Sequence, residues 1–174
     1  MRKPGSRSLL IIGGAEDKVG RVTVLRRFVR LAGGRKARIV VIPTASSVPD
    51  EVVEVYSTVF SRLGCESITS VNPPNRQASN DEELIGRIDD ATGIFISGGN
   101  QLKLSQLIVG TPLGRALLEA YQRGAVVAGT SAGASIMSQF MISMGEEGVT
   151  PRQRSSQLTA GLGLLPGVIV DQHF

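Results

Sequence analysis

The sequence predicts an α/β domain: a mainly parallel, doubly wound sheet with helices on both faces. Two observations carry this expectation. Short apolar, β-branched runs recur along the chain, and the stretches between several of them repeat their apolar residues with a helical period. Strands that alternate with helices need crossover connections, and these make the sheet parallel and bury it on both faces.

Taken in order, Ser8 to Ile12 reads as a buried strand and Asp17 to Leu31 as a helix closed by Gly33-Gly34. Arg38 to Ile42 is a second strand, stopped by Pro43. Val52, Val55, Tyr56, Val59, Phe60 and Leu63 then fall at three- and four-residue spacing. Asp50 is the expected cap and Gly64 the stop. Ser67 to Val71 is a third strand, followed by a polar loop from Asn72 to Asn80. Asn80 to Ile88 is a short helix with Asn80 and Glu83 at capping-box spacing. Gly93 to Ser97 is a fourth strand, Thr111-Pro112 opens a helix that ends at Gly124, and Ala125 to Ala128 is a fifth strand. Periodicity fails from Gln139 to Leu158, where Gly145-Glu146-Glu147-Gly148 and Pro151 suggest an excursion or a hairpin. Val168-Ile169-Val170 reads as a last buried strand leading into Asp171-Gln172-His173-Phe174.

The 174 residues suit one domain with a real core. No closing helix follows the last apolar run, so the expectation is a single domain over residues 1–174 that lacks its C-terminal part. With 41% apolar and 4% aromatic residues, the core must be mostly aliphatic. The net charge of +4 is concentrated in Met1 to Arg7 and Arg21 to Arg38. Arginines spaced around Val22, Leu25, Phe28 and Val29 describe a solvated helix face, and without aromatic platforms no nucleic-acid partner is expected. One cysteine, Cys65, excludes an internal disulfide, and with a single histidine no zinc site of the usual Cys/His kind can be drawn. Leu9 to Ile12 is too short an apolar run for a leader or a membrane span. The expectation is a soluble, cytoplasmic protein without metal or cofactor.

Chemistry concentrates where strands end. Ligands of a parallel sheet collect beyond the carboxyl ends of its strands. Gly13 to Lys18, Pro43 to Ser47, Ser97 to Gln101 and Ser131 all lie there. In "VVAGTSAGAS", residues 126 to 135, a buried strand stops at Gly129-Thr130-Ser131-Ala132-Gly133 and turns at once into a helix. Such a turn pushes the serine out as a nucleophile. Ser131 needs a base, and His173 is the only imidazole. The amides of Ala132 and Gly99 are the candidate oxyanion donors. Gly13-Gly14 fits neither common phosphate-loop pattern. Cys65 sits at the wrong end of the sheet and reads as packing.

"IIGGAEDK", "VIPTASS", "ISGGNQ", "GTSAGAS" and "VDQHF" together resemble the cyanophycinases. These are serine peptidases similar in fold to the class I glutamine amidotransferase and aspartyl dipeptidase group, a flavodoxin-like architecture. The resemblance runs from Leu9 to Phe174. It implies an exopeptidase acting on cyanophycin, a polyaspartate with an arginine on each β-carboxyl, to release β-Asp-Arg dipeptides. Ser131 matches the family nucleophile and His173 its base, while Gln101, Asp171 and Gln172 match substrate-contacting positions. Asp171 offers a carboxylate for a guanidinium. In that family the triad acid follows the histidine, as does an arginine-rich stretch, and this chain ends at Phe174. If the acid were within the chain it would be sought among Glu16, Asp17, Glu146 and Glu147.

Two other readings compete. One is an α/β-hydrolase esterase with its acid between Ser131 and His173. The other is a non-catalytic flavodoxin-like module in which Gly13-Gly14 and Gly98-Gly99 cradle an anion. The few charges between Leu158 and Val170 suggest a homodimer.

Overall fold

The computed structural model describes residues 7–145 and 156–171. Five parallel strands form one sheet in the order β1-β5-β4-β2-β3: β1 (Ser8–Ile12), β2 (Arg38–Ile42), β3 (Ser67–Ser70), β4 (Gly93–Ile96) and β5 (Val126–Thr130). The central strands β4 and β5 are buried at every position, whereas the edge strand β3 alternates exposed and half-buried residues. That pattern follows from helices covering both faces of the sheet.

The two faces differ in chemistry. On one side α1 (Thr23–Leu31) and α2 (Pro49–Arg62) pack Leu25, Phe28, Tyr56 and Phe60 against Ile39, Val41 and Phe95. Tyr56 and Phe95 bring their ring centroids within 4.4 Å, and Phe28 and Phe60 lie 5.7 and 5.6 Å from Phe95. On the other side α3 (Glu82–Gly86), α4 (Gln101–Ile108), α5 (Pro112–Arg123) and α6 (Ala132–Ser135) face the sheet. Here the core is aliphatic, formed by residues such as Ile94, Ile96, Leu104, Leu113 and Val127. An antiparallel hairpin, β6 (Phe140–Gly145) with β7 (Ser156–Ala160), occupies the stretch where periodicity fails.

Several expectations change. The first helix begins at Thr23, not Asp17, because the Asp17 carboxylate accepts hydrogen bonds from the amides of Val19, Gly20 and Val22 at 2.9, 2.7 and 3.0 Å. Those bonds fold residues 17–22 into a loop. Asp50 is not a cap. Val48 precedes the helix, Pro49 opens it, and Asp50 lies in its first turn. The cap of α3 is Asp81, whose side chain accepts from the Glu83 amide, while Asn80 ends a 3₁₀ turn over Gln77–Asn80. The helix α4 is an addition, in a stretch to which the sequence assigns no element: the Asn100 side chain caps it by accepting from the Lys103 amide.

Val168-Ile169-Val170 is not a strand. Val168 and Ile169 are each 47% exposed. The segment is held instead by Val170, whose amide donates to Ser138 Oγ at 3.0 Å and whose carbonyl accepts from Ser135 Oγ at 3.2 Å. Among the described residues no helix is long and apolar enough to cross a membrane.

Candidate active site

Ser131 follows β5 directly, with φ 52 and ψ −116, a conformation that L residues rarely adopt. Close packing on both sides imposes it. A Cβ on Gly129 would fall well inside contact distance of the Gly133 carbonyl oxygen, and a Cβ on Gly133 would do the same to the Ile96 carbonyl. Both glycines of the pentapeptide are therefore steric requirements. The Ser131 amide donates to the Ile12 carbonyl at 2.9 Å, tying the elbow to the end of β1.

Gly98 lies against Ser131: a Cβ there would be 3.1 Å from the Ser131 Cβ and 3.6 Å from its Oγ. Gly99, at φ 138, passes so close to the Ala45 carbonyl that no side chain fits, and the Asn100 amide donates to the same oxygen at 2.8 Å. The Lys103 ammonium donates to the Ser46 carbonyl at 3.0 Å. The stretch Pro43 to Ser47 thus buttresses the Gly98-Gly99 turn.

A cleft of about 420 Å³ opens over the ends of β1, β4 and β5, with Ser131, Gly98, Glu16, Lys18 and Tyr56 in its wall. Glu16 is its electrostatic centre. The carboxylate accepts from Thr130 Oγ1 at 2.5 Å and from the Tyr56 hydroxyl, and pairs with Lys18 Nζ at 2.9 Å. Burial by itself would push this carboxyl up. The hydrogen bonds from Thr130, Tyr56 and Lys18 outweigh it and hold Glu16 below the usual carboxylate range. Burial and the neighbouring carboxylate push the Tyr56 phenol far above its ordinary value, so it stays a donor. Glu16 thereby links the end of β1, α2 and Thr130, the residue before Ser131.

The remaining candidates are dispersed. Ala132 is the buried first residue of α6, and its amide follows the elbow directly. Gln101 donates through Nε2 to the Ile142 carbonyl at 3.0 Å, so at least part of its amide anchors the hairpin. Asp171 is exposed and is not among the cleft-lining residues. Gln172 and His173 lie outside the described residues, as do Glu146 and Glu147, so the expected approach of His173 to Ser131 falls there too. Cys65 packs against the aromatic core and burial raises its thiol, which agrees with a packing role. Among the described residues no group of three or more His, Cys, Asp or Glu is placed to hold a metal. The arginines of α1, Arg26, Arg27 and Arg30, are exposed on its outer face. Sequence reasoning missed Tyr56, which its period assigns to the core, and weighed Glu16 only as an alternative acid; the signal was its place just beyond the first strand.

A family model described as peptidase family S51 matches residues 9–174. The chain is 39% identical over 96% of its length to a cyanophycinase of Geminocystis herdmanii, covering 62% of that protein. It is 41% identical over 95% of its length to a cyanophycinase of Thermosynechococcus vestitus, covering 52% of that one. The chain thus spans little more than half the length of these relatives. Among solved structures, a peptidase from an acI-B1 actinobacterium superposes with a TM-score of 0.69 at 26% identity, over 92% of this chain and 66% of that one. A putative peptidase E protein from Listeria monocytogenes EGD-e shares the fold at 22% identity and a TM-score of 0.62, over 91% of this chain and 75% of that one.

Proposed function

The chain belongs to peptidase family S51, and from that premise we propose that it acts as a serine exopeptidase on cyanophycin, releasing β-Asp-Arg dipeptides. The observation that carries this reading is Ser131, held by two obligatory glycines on a left-handed elbow in the wall of a cleft. The cyanophycinase relatives support the choice of substrate.

In this reading His173 takes the Ser131 hydroxyl proton as Oγ bonds to the substrate carbonyl carbon. The charge that develops on the carbonyl oxygen is met by the amides of Gly99 and Ala132. Collapse breaks the C–N bond, His173 returns the proton to the departing amine, and water then cleaves the acyl-enzyme by the same steps in reverse. Glu16 is engaged by Thr130, Tyr56 and Lys18, so it supports the elbow and does not orient an imidazole. Asp171 and Gln172 meet the arginyl part of the substrate, and Gln101 braces the hairpin through the Ile142 carbonyl. The protein acts in the cytoplasm as a homodimer through the half-exposed Leu158, Val168 and Ile169; a monomeric mass in sedimentation would remove that last part.

The test is dipeptide release from cyanophycin, followed by mass spectrometry on the full-length protein and its Ser131→Ala variant. Release by the wild type and a loss of about 10⁴-fold or more in the variant are expected. Hydrolysis of a short nitrophenyl ester without dipeptide release would reject the substrate and favour an esterase.

A further inference from the structure

The helix face of α2 that turns toward Ser131 carries unusual chemistry. Val48, Glu51, Val52 and Val55 follow one another at helical spacing and all line the cleft. Val48 and Val55 are 46% and 43% exposed, aliphatic surface left open beside the candidate nucleophile. Exposed apolar residues grouped in a cleft mark a contact surface. Opposite in character is Lys18, also in the wall. Its ammonium is fixed by the Glu16 carboxylate at 2.9 Å, by the Glu16 carbonyl at 3.4 Å and by the face of Tyr56, 5.5 Å from the ring centroid. Its side chain nevertheless keeps 34% of its surface exposed. The cleft therefore offers a held cation, an aliphatic wall and a second carboxylate, Glu51, which no salt bridge or side-chain hydrogen bond engages among the interactions of the described residues.

We infer that this wall is a subsite for one pendant arginine of the substrate: Lys18 takes its free α-carboxylate, Val48, Val52 and Val55 cover its methylenes, and Glu51 pairs with its guanidinium. The inference rests on the proposed action on cyanophycin and adds residues that recognise it. A β-aspartyl-linked arginine is bonded through its α-amine, so it presents a carboxylate at one end of an aliphatic stem and a guanidinium at the other. The cleft carries the complementary set. Asp171, outside the cleft lining, is left to meet a different arginine of the polymer.

The test uses the full-length protein and two pairs of short β-aspartyl substrates. The first pair carries arginine or its neutral isostere citrulline; the second carries arginine or arginine amide. Wild-type kcat/KM should favour arginine about tenfold in each pair. Glu51→Gln should bring the arginine-to-citrulline ratio to about 1 and keep the preference for the free carboxylate. Lys18→Met should erase the carboxylate preference and keep the other. Because each variant serves as the control for the other, a general loss of folding cannot imitate this crossed pattern. Turnover with both ratios unmoved by the substitutions overturns the inference alone. A wild type that cleaves none of the four substrates overturns the functional reading and this inference with it.

Discussion

The neighbouring strands β1 and β5 pair in register, Ile12 opposite Thr130, and each leads into a non-glycine residue with positive φ: Ala15 at 50 and Ser131 at 52. The two strand ends are held by different forces. Around Ser131 the constraint is steric, since Gly129 and Gly133 face backbone carbonyls with no room for a methyl group. Around Ala15 it is polar. Gly13 has open space on its Cβ side, and the loop is fixed by the carboxylates of Glu16 and Asp17. Steric constraint places Ser131 with little tolerance and no dependence on pH. Polar constraint supplies charge to the cleft, and it titrates.

Four substitutions sharpen that contrast. The largest effect is expected at the steric end, where Gly133→Ala or Gly129→Ala drives a methyl group into a carbonyl oxygen. Either should cost about 3 kcal/mol or more of stability, at all pH values alike, as read from denaturant unfolding. A loss well under 1 kcal/mol would mean that the elbow relaxes freely.

Next comes Glu16→Gln, which keeps the side-chain size but removes the charge facing Lys18, Thr130 and Tyr56 and replaces one accepting oxygen with an NH2 donor. A loss of about 2 kcal/mol at neutral pH is expected. Because the folded state holds the Glu16 carboxyl below its ordinary value, the wild type's advantage is fully present above the unfolded value of about 4.3. It should fade as pH falls through the lower folded value. Unfolding curves for both proteins from pH 7 to pH 3 should therefore converge, and a gap that stays constant would show that the charge contributes nothing. The smallest effect is expected for Gly13→Ala, where a methyl group meets open space and φ is not positive. Its stability should stay within about 0.5 kcal/mol of the wild type.

Much of this was legible along the chain. Each of the five strands of the parallel sheet is centred on β-branched or apolar residues. Helix α5 is bounded by Thr111, Pro112 and Gly124, whose cap, φ restriction and left-handed turn act within a few residues. The elbow at Ser131 was readable for the same reason: two glycines flanking a serine after a buried strand describe a backbone that must turn sharply.

Features that depend on distant partners were not legible. Asp17 lies where a helix start is expected, yet its carboxylate gathers three nearby amides into a loop, a competition that apolar spacing does not register. Val168-Ile169-Val170 has the composition of a strand, but among the described residues no strand pairs with it, and side-chain hydroxyls from Ser135 and Ser138 take the Val170 backbone instead. The helical period of α2 marks Val52, Val55 and Tyr56 as core. Only the packing of α2 beside the end of β1 turns Val55 outward into the cleft and brings Tyr56 to Glu16, 40 residues away along the chain. By itself the sequence determined the five strands of the parallel sheet and the position of the glycine-bounded turn at Ser131, because residue type and spacing within a few positions mark both. The tertiary structure decided which carboxylates, hydroxyls and aliphatic side chains share the cleft with Ser131, because those neighbours meet only when the sheet is assembled in the order β1-β5-β4-β2-β3.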